Sequence, residues 1–277
     1  MDISINGKPA DITLESEKTV GDLLSGIEEW LRGSENRISG LRVDGQTISA
    51  LALSEVFTQD LENIKSIDIT VSTWQDIALE ALFNIQEDMK VYENGSFDEQ
   101  KHIGTGWEAS VTARFLSEQI PDIFVLVQKT FFGEGLAPGD MGRLIDERIR
   151  ELIDPPAELR NISALVSEIA ARLEDLPLDM QTGKDGRVAE TVQLFSHITD
   201  KLFRLVRFLK LQGCAFDSIS VDALPLDSFM DGFCAVLKEL LDAYEAQDAV
   251  LVGDLAEYEL SPRLLKLYSA LVEGRMT

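Results

Sequence analysis

The sequence predicts an α+β protein: a small N-terminal sheet module over residues 1–72, then an all-α helical bundle over 73–277. Three observations carry this. The first 72 residues alternate between strand-like and turn-forming stretches, including Asn6-Gly7 and Asp44-Gly45. Beyond Thr73, apolar residues recur every three to four positions through long segments. Hydrophobic residues make up 45% and charged residues 27% of the chain, a globular composition that argues against wholesale disorder.

Asp2-Ile3-Ser4-Ile5 alternates in the strand period, and Asn-Gly supplies the two positive-φ residues of a tight hairpin turn. The expected return strand is Ala10–Leu14. Thr19-Val20-Gly21-Asp22 has the spacing of a capping box, and Val20, Leu23, Leu24, Ile27, Trp30 and Leu31 follow at helical intervals. Ile38–Val43 and Gln46-Thr47-Ile48, joined at Asp44-Gly45, form a second expected hairpin, and Ser66–Val71 alternates as a closing strand.

Hairpin, helix and further strands in this order resemble the ubiquitin-like β-grasp fold over about a quarter of the chain. Modifiers of that kind end in a free diglycine, whereas here Val71-Ser72-Thr73 runs directly into the next helix. The resemblance therefore implies a binding role and not conjugation.

Thr73-Trp74-Gln75-Asp76 repeats the capping logic and opens a helix with Ile77, Leu82, Ile85 and Met89. A helix from about Glu108 is expected to break at Pro121 and resume to Phe132, where Gly133-Glu134-Gly135 stops it. Asp140–Ile153 is a shorter helix. Asp154-Pro155-Pro156 places an N-cap and first-turn prolines on the next, running to about Leu176. Val188–Leu211 is the longest periodic segment, Asp227–Ala246 and Asp248–Leu260 follow, and Ser261-Pro262 reads as the N-cap of a terminal helix.

A formal charge of −24 excludes general binding to nucleic acid, which needs clustered cations, and disfavours an anionic membrane surface. The acidity has two readings, solubility on one side, and on the other a basic protein partner or mimicry of a polyanion such as nucleic acid. No apolar run approaches the ~20 residues of a membrane span, and the first residues carry no basic leader, so a cytoplasmic location is expected. Cys214 and Cys234, both among apolar neighbours, read as small buried hydrophobes.

Catalytic patterns are missing. Glu99-x-x-His102 has the spacing of a di-metal carboxylate site, but the other histidine, His197, follows Leu194 by three, so there is no second copy. His102, beside Gly104-Thr105-Gly106, reads as a loop residue. No nucleophile elbow, phosphate loop or dinucleotide fingerprint is present. No enzyme activity, metal or cofactor is expected.

Three features point instead to protein partners. Lys201, Arg204, Arg207 and Lys210 form a basic arc on one helix, readable also as cations suiting the helix C-terminus. Asp248–Glu259 joins an apolar face to an acidic one, with Asp254, Glu257 and Tyr258 together at the edge. Phe131-Phe132 either docks a partner if exposed or closes the bundle if buried. The stretch Asp254–Pro262 resembles uncharacterised acidic helical proteins of motile bacteria, some linked to flagellar functions. The resemblance implies no chemistry.

The expected function is a non-enzymatic adaptor, scaffold or chaperone for one or more proteins, with flagellar or secretion work as one version and self-association left open. The alternative is an enzyme or small-ligand receptor with a pocket between helices, using carboxylates, Tyr92, Tyr244 or Trp107.

Overall fold

The protein, seen as a computed structural model describing residues 1–14, 17–34, 36–49, 52–213 and 219–273, is α+β. It divides into two compact units, Met1–Ile149 and Arg150–Thr277.

The first unit begins with a five-stranded mixed sheet. Its strands are β1 (Asp2–Ile5), β2 (Lys8–Pro9), β3 (Asn36–Val43), β4 (Gln46–Thr47) and β5 (Ser66–Thr73), in the order β2-β1-β5-β3-β4. β1 and β5 pair in parallel, Ile3 opposite Ile67, and the other pairs are antiparallel. Both hairpins turn where the sequence places them. Asn6 and Gly7 have φ of 52° and 71°, and Asp44 and Gly45 have 48° and 79°, the backbone a two-residue turn requires. β2 is only two residues long, so the expected return strand Ala10–Leu14 does not form. Ala10 still donates to the Ile3 carbonyl at 2.9 Å, after which the chain leaves the sheet.

Helix α1 (Val20–Leu31) crosses one face of the sheet. Thr19 and Asp22 make the reciprocal capping box. Val20, Leu23, Leu24, Ile27 and Leu31 are buried against Ile3, Leu41, Val43, Ile67 and Ile69. Each such side chain contributes about 1.5–3 kcal/mol. Trp30, expected in this stripe, is 73% exposed. It adjoins Leu31, and neighbouring positions differ by about 100° around a helix, so only one of them faces the sheet.

A short helix α2 (Leu53–Phe57) precedes β5. The first unit continues with α3 (Trp74–Asn94), α4 (Phe97–Trp107), α5 (Val111–Gln119), α6 (Pro121–Phe131) and the larger part of α7 (Pro138–Ile153). This compact unit extends beyond residue 72, with α3 packed on β5 and β3. Thr73 and Asp76 form the capping box of α3 as the sequence requires, and Pro121 opens α6 where a break was expected. Residues 97–107 are helical and not a loop. Ser96 and Glu99 make a third capping box, which outweighs Gly104 and Gly106.

The second unit holds the end of α7, then α8 (Pro155–Asn161), α9 (Ser163–Gln181) and α10 (Asp185–Leu211). A hairpin of β6 (Ser220–Val221) and β7 (Leu224–Pro225) follows, then α11 (Leu226–Glu245), α12 (Ala249–Asp254) and α13 (Ser261–Glu273). Asp154 caps α8 through Ala157, but the single helix expected to Leu176 is interrupted at Ile162. The β6–β7 hairpin departs from the all-helical expectation. Its turn is built by Asp222 and Ala223 at φ of 52° and 64°, with no glycine to announce it.

Between α12 and α13 the helix continues through a π-helical stretch, Leu255–Leu260. Ser261 is therefore not an N-cap. It is buried within the helix, and its hydroxyl donates to Glu174 at 3.0 Å. Pro262 lacks an N–H and its ring crowds the carbonyl four residues back, so a wider turn just before it removes that collision. The core gathers α8 to α13, with Phe233 fully buried between Phe195 and Phe203 at ring separations of 6.3 and 6.0 Å.

Candidate functional site

The sheet module carries an apolar groove of about 480 Å³ between α1 and the segment that leaves β2. Leu23, Gly26, Ile27 and Trp30 form one wall, Ile5 the floor, and Ala10, Ile12 and Leu14 the other wall. Leu14 is exposed, and Trp30 presents an indole to solvent at the rim. Asp11 and Glu17 supply the acidic groups of the lining. The groove exists because β2 stops at Pro9. A return strand continuing to Leu14 would have drawn Ile12 and Leu14 into the ladder; instead they stand opposite α1. The sequence does not announce it, because Ile12 and Leu14 alternate like a strand and Trp30 and Leu31 both fit the helical stripe.

The residues singled out from the sequence fall differently. Phe131 is buried against Trp107 and Tyr92, at ring separations of 5.5 and 5.2 Å, while Phe132 is 53% exposed. The pair is split, one ring closing the core of α3, α4 and α6 and the other facing water. Tyr92 donates its hydroxyl to the Phe131 carbonyl at 3.0 Å. Tyr92 and Trp107 are thereby packing residues, and Tyr244 is exposed in the second unit.

Half of the basic arc on α10, Lys201 and Arg204, turns inward. Arg204 meets Glu151 through Nε and Nη2 at 3.0 and 3.1 Å, and Lys201 lies 2.9 Å from Glu158 and 3.6 Å from Glu151. Glu151 is completely buried. Burial alone would raise the carboxyl pKa of Glu158, but the Lys201 ammonium, with Asn161 and Arg150, holds it below the ordinary range. Arg207 is exposed, and Lys210 pairs with Asp227. Other cations of this unit are similarly engaged: Lys184 and Arg187 with Asp179, Arg172 with Glu168 and Glu190, Lys266 with Asp222, Arg263 with Glu259.

Asp254, Glu257 and Tyr258 are brought together across the π-helical stretch. A hydrogen bond from the Tyr258 hydroxyl to Glu257, with the negative charge of Glu257 and Asp254, holds the phenol above its ordinary pKa. Cys234 is exposed, against expectation. Phe229, Phe233 and Val236 form the buried stripe of α11, and Cys234 stands off it. Cys214 lies outside the described residues. His102 and His197 are both exposed on helices, and the Glu99 carboxylate is taken up by the cap, held low in pKa by the Ser96 backbone and hydroxyl. Among the described residues no cluster of three or more metal-binding side chains occurs, and no helix is long and apolar enough to cross a membrane.

What these features define is an α+β chain whose distinctive surfaces are an apolar groove and an acidic helical face. Residues 1–73 match the family described as the TP0873 N-terminal domain, and residues 158–270 match a domain of unknown function, DUF8042. A protein of Treponema pallidum (strain Nichols) described as uncharacterized is 23% identical over 264 residues, covering 95% of this chain and 92% of that one. No solved structure matches.

Proposed function

We propose that the chain is a non-enzymatic protein-interaction protein, an adaptor, scaffold or chaperone, whose sheet module grips apolar side chains of a partner in the groove beneath Trp30. The observation that carries this is the groove itself: an exposed indole and an exposed Leu14 at the rim of a cleft of about 480 Å³ with an apolar floor. Small-molecule sites set a few convergent polar groups into such a lining. Here the polar side chains are the carboxylates Asp11 and Glu17, suited to a neighbouring lysine or arginine on a peptide. Aromatic anchors of this kind dominate protein interfaces. The strand order and the helix packed on one face support reading the module as ubiquitin-like, with the binding role that implies.

A photo-cross-linking residue at position 30 in the full chain tests this, with the same residue at exposed Phe97 as control. The expected result is a discrete adduct to one native protein from position 30, lost in Ile12→Asp and not formed from position 97. Adducts of equal yield from both positions, or none from position 30, would refute it.

A second reading is a small-ligand receptor. A cleft of about 520 Å³ among β3, α3 and α5 is lined by Trp74 and Phe115 together with Arg37, Glu80, Asn84 and Glu118, a more polar set than the first groove. Saturable binding of a small metabolite that is lost in Phe115→Ala would favour it.

A further inference from the structure

The helical hairpin of α11 and α12 combines exposed carboxylates with exposed large apolar side chains. From Glu239 to Pro262 the sequence contains no lysine or arginine, and Lys238, exposed one turn before Asp242, is the cation at its edge. Elsewhere in the unit, carboxylates such as Glu151, Glu158 and Asp179 have cations against them. Among the described residues, Glu239, Asp242, Glu245 and Asp254 have none, and all four are exposed. Set among these carboxylates are Leu241, Tyr244, Val250 and Tyr258, each more than three-fifths exposed.

Leu241 and Tyr244 are three apart on α11 and share a face. The turn that follows is tight: Gln247 donates to the Tyr244 carbonyl and Asp248 to the Ala243 carbonyl, both at 3.0 Å, so Val250 lies in the first turn of the next helix, six residues after Tyr244. Large apolar side chains gathered on an exposed face and rimmed by charge mark an interaction surface.

We propose that this end of the hairpin docks a lysine- or arginine-bearing amphipathic segment of another protein. Its apolar residues would lie on Leu241, Tyr244 and Val250, and its cations on Asp242, Glu245 and Asp254. Charge selects the occupant. A second copy would bring the same carboxylates against themselves, and a bilayer with anionic headgroups or a nucleic acid would be repelled for the same reason. A cationic partner neutralises what the fold leaves unpaired. The surface is distinct from the groove beneath Trp30, so one chain could hold two different segments at once, as a scaffold does.

The test is fluorescence anisotropy on the full chain with three labelled synthetic peptides. One is an amphipathic helix of leucine and lysine, the second its scramble, and the third the same peptide with glutamate for lysine. The lysine helix should bind, more weakly as salt rises from about 50 to 300 mM. The Leu241→Asp/Val250→Asp double variant should lose about ten-fold or more in affinity. Asp242→Asn/Glu245→Gln should lose several-fold and show a shallower salt dependence, whereas Phe97→Ala, at an exposed residue outside both surfaces, should bind as the parent does. Circular dichroism confirms that these surface variants fold.

Equal binding of the scrambled or glutamate peptide would overturn the proposal, as would undiminished binding by the double aspartate variant. Loss of binding in Trp30→Ala alone would move the site to the sheet groove and overturn it here. A dimer in sedimentation that the double variant abolishes would make the occupant a second copy and equally overturn it.

Discussion

Replacing Glu151 by glutamine keeps the shape of the side chain and removes its charge. The carboxylate has no exposure to solvent and faces Arg204 at 3.0 and 3.1 Å and Lys201 at 3.6 Å. Breaking a buried ion pair costs about 3–5 kcal/mol, because the surviving cation is left uncompensated. Arg204 is about a quarter exposed, and Lys201 keeps Glu158 at 2.9 Å, so about 3 kcal/mol, the low end of that range, applies. The tryptophans provide a readout that separates the units. Trp30, Trp74 and Trp107 all precede residue 150, so indole emission follows the first unit while far-ultraviolet circular dichroism follows helix in both. In urea, Glu151→Gln should lower the midpoint of the dichroism transition belonging to Arg150–Thr277 by roughly 1–3 M. The emission midpoint should stay where it is. Glu151→Met/Arg204→Met removes both charges and should recover at least half of the loss. A cost below about 1 kcal/mol for Glu151→Gln would refute the reasoning, since it would mean that solvent and Glu158 compensate Arg204 and Lys201 as well as Glu151 does.

Two further outcomes follow from the same unit. Gly253→Ala places a Cβ 3.1 Å from the Pro177 Cβ and 3.2 Å from its Cγ, so Pro177 must give by a few tenths of an ångström, and the variant should fall short, in the dichroism-detected transition, of the ~1 kcal/mol that alanine gains over glycine in an open helix. Glu158 has a folded pKa below its ordinary value of 4.5, so its stabilisation is complete above that pH and is lost as pH falls through the folded value. The difference in urea midpoint between parent and Glu158→Gln should therefore be larger at about pH 7 than at about pH 3, and a difference that grows on acidification would contradict the assignment.

Features fixed by a few adjacent residues were legible in the sequence. The capping boxes at Thr19 and Thr73, the turns at Asn6-Gly7 and Asp44-Gly45, and the break at Pro121 each depend on local chemistry, and each occurs. The helix α4 could have been read from Ser96-x-x-Glu99, but the glycines at 104 and 106 obscured it. What could not be read depends on contacts distant in sequence. Arg204 looked available until Glu151, 53 residues earlier, was found against it. The groove was hidden because Ile12 and Leu14 alternate like a strand, and only the early end of β2 reveals that they line a cleft. Of the proposed contacts, the Asp254–Glu257–Tyr258 cluster was visible because it lies within one turn of helix, and the wider π-helical turn leaves it together.

The two readings of the acidity can now be weighed by where the charge sits. Acidic residues spread for solubility alone would be expected on every face, interleaved with the cations the chain has. In the second unit many of the cations are drawn into pairs, several of them buried or half-buried: Lys201 and Arg204 on Glu151 and Glu158, and Lys184 and Arg187 on Asp179. Pairing of this kind concentrates the unneutralised charge on what is left, and along Glu239–Pro262 it coincides with the largest exposed apolar side chains of α11 and α12. Solubility does not call for leucine, valine and tyrosine among those carboxylates, because exposed apolar groups work against it. Their position among unpaired acids is what a cationic, partly apolar partner would require, and substituting them should change binding far more than it changes folding.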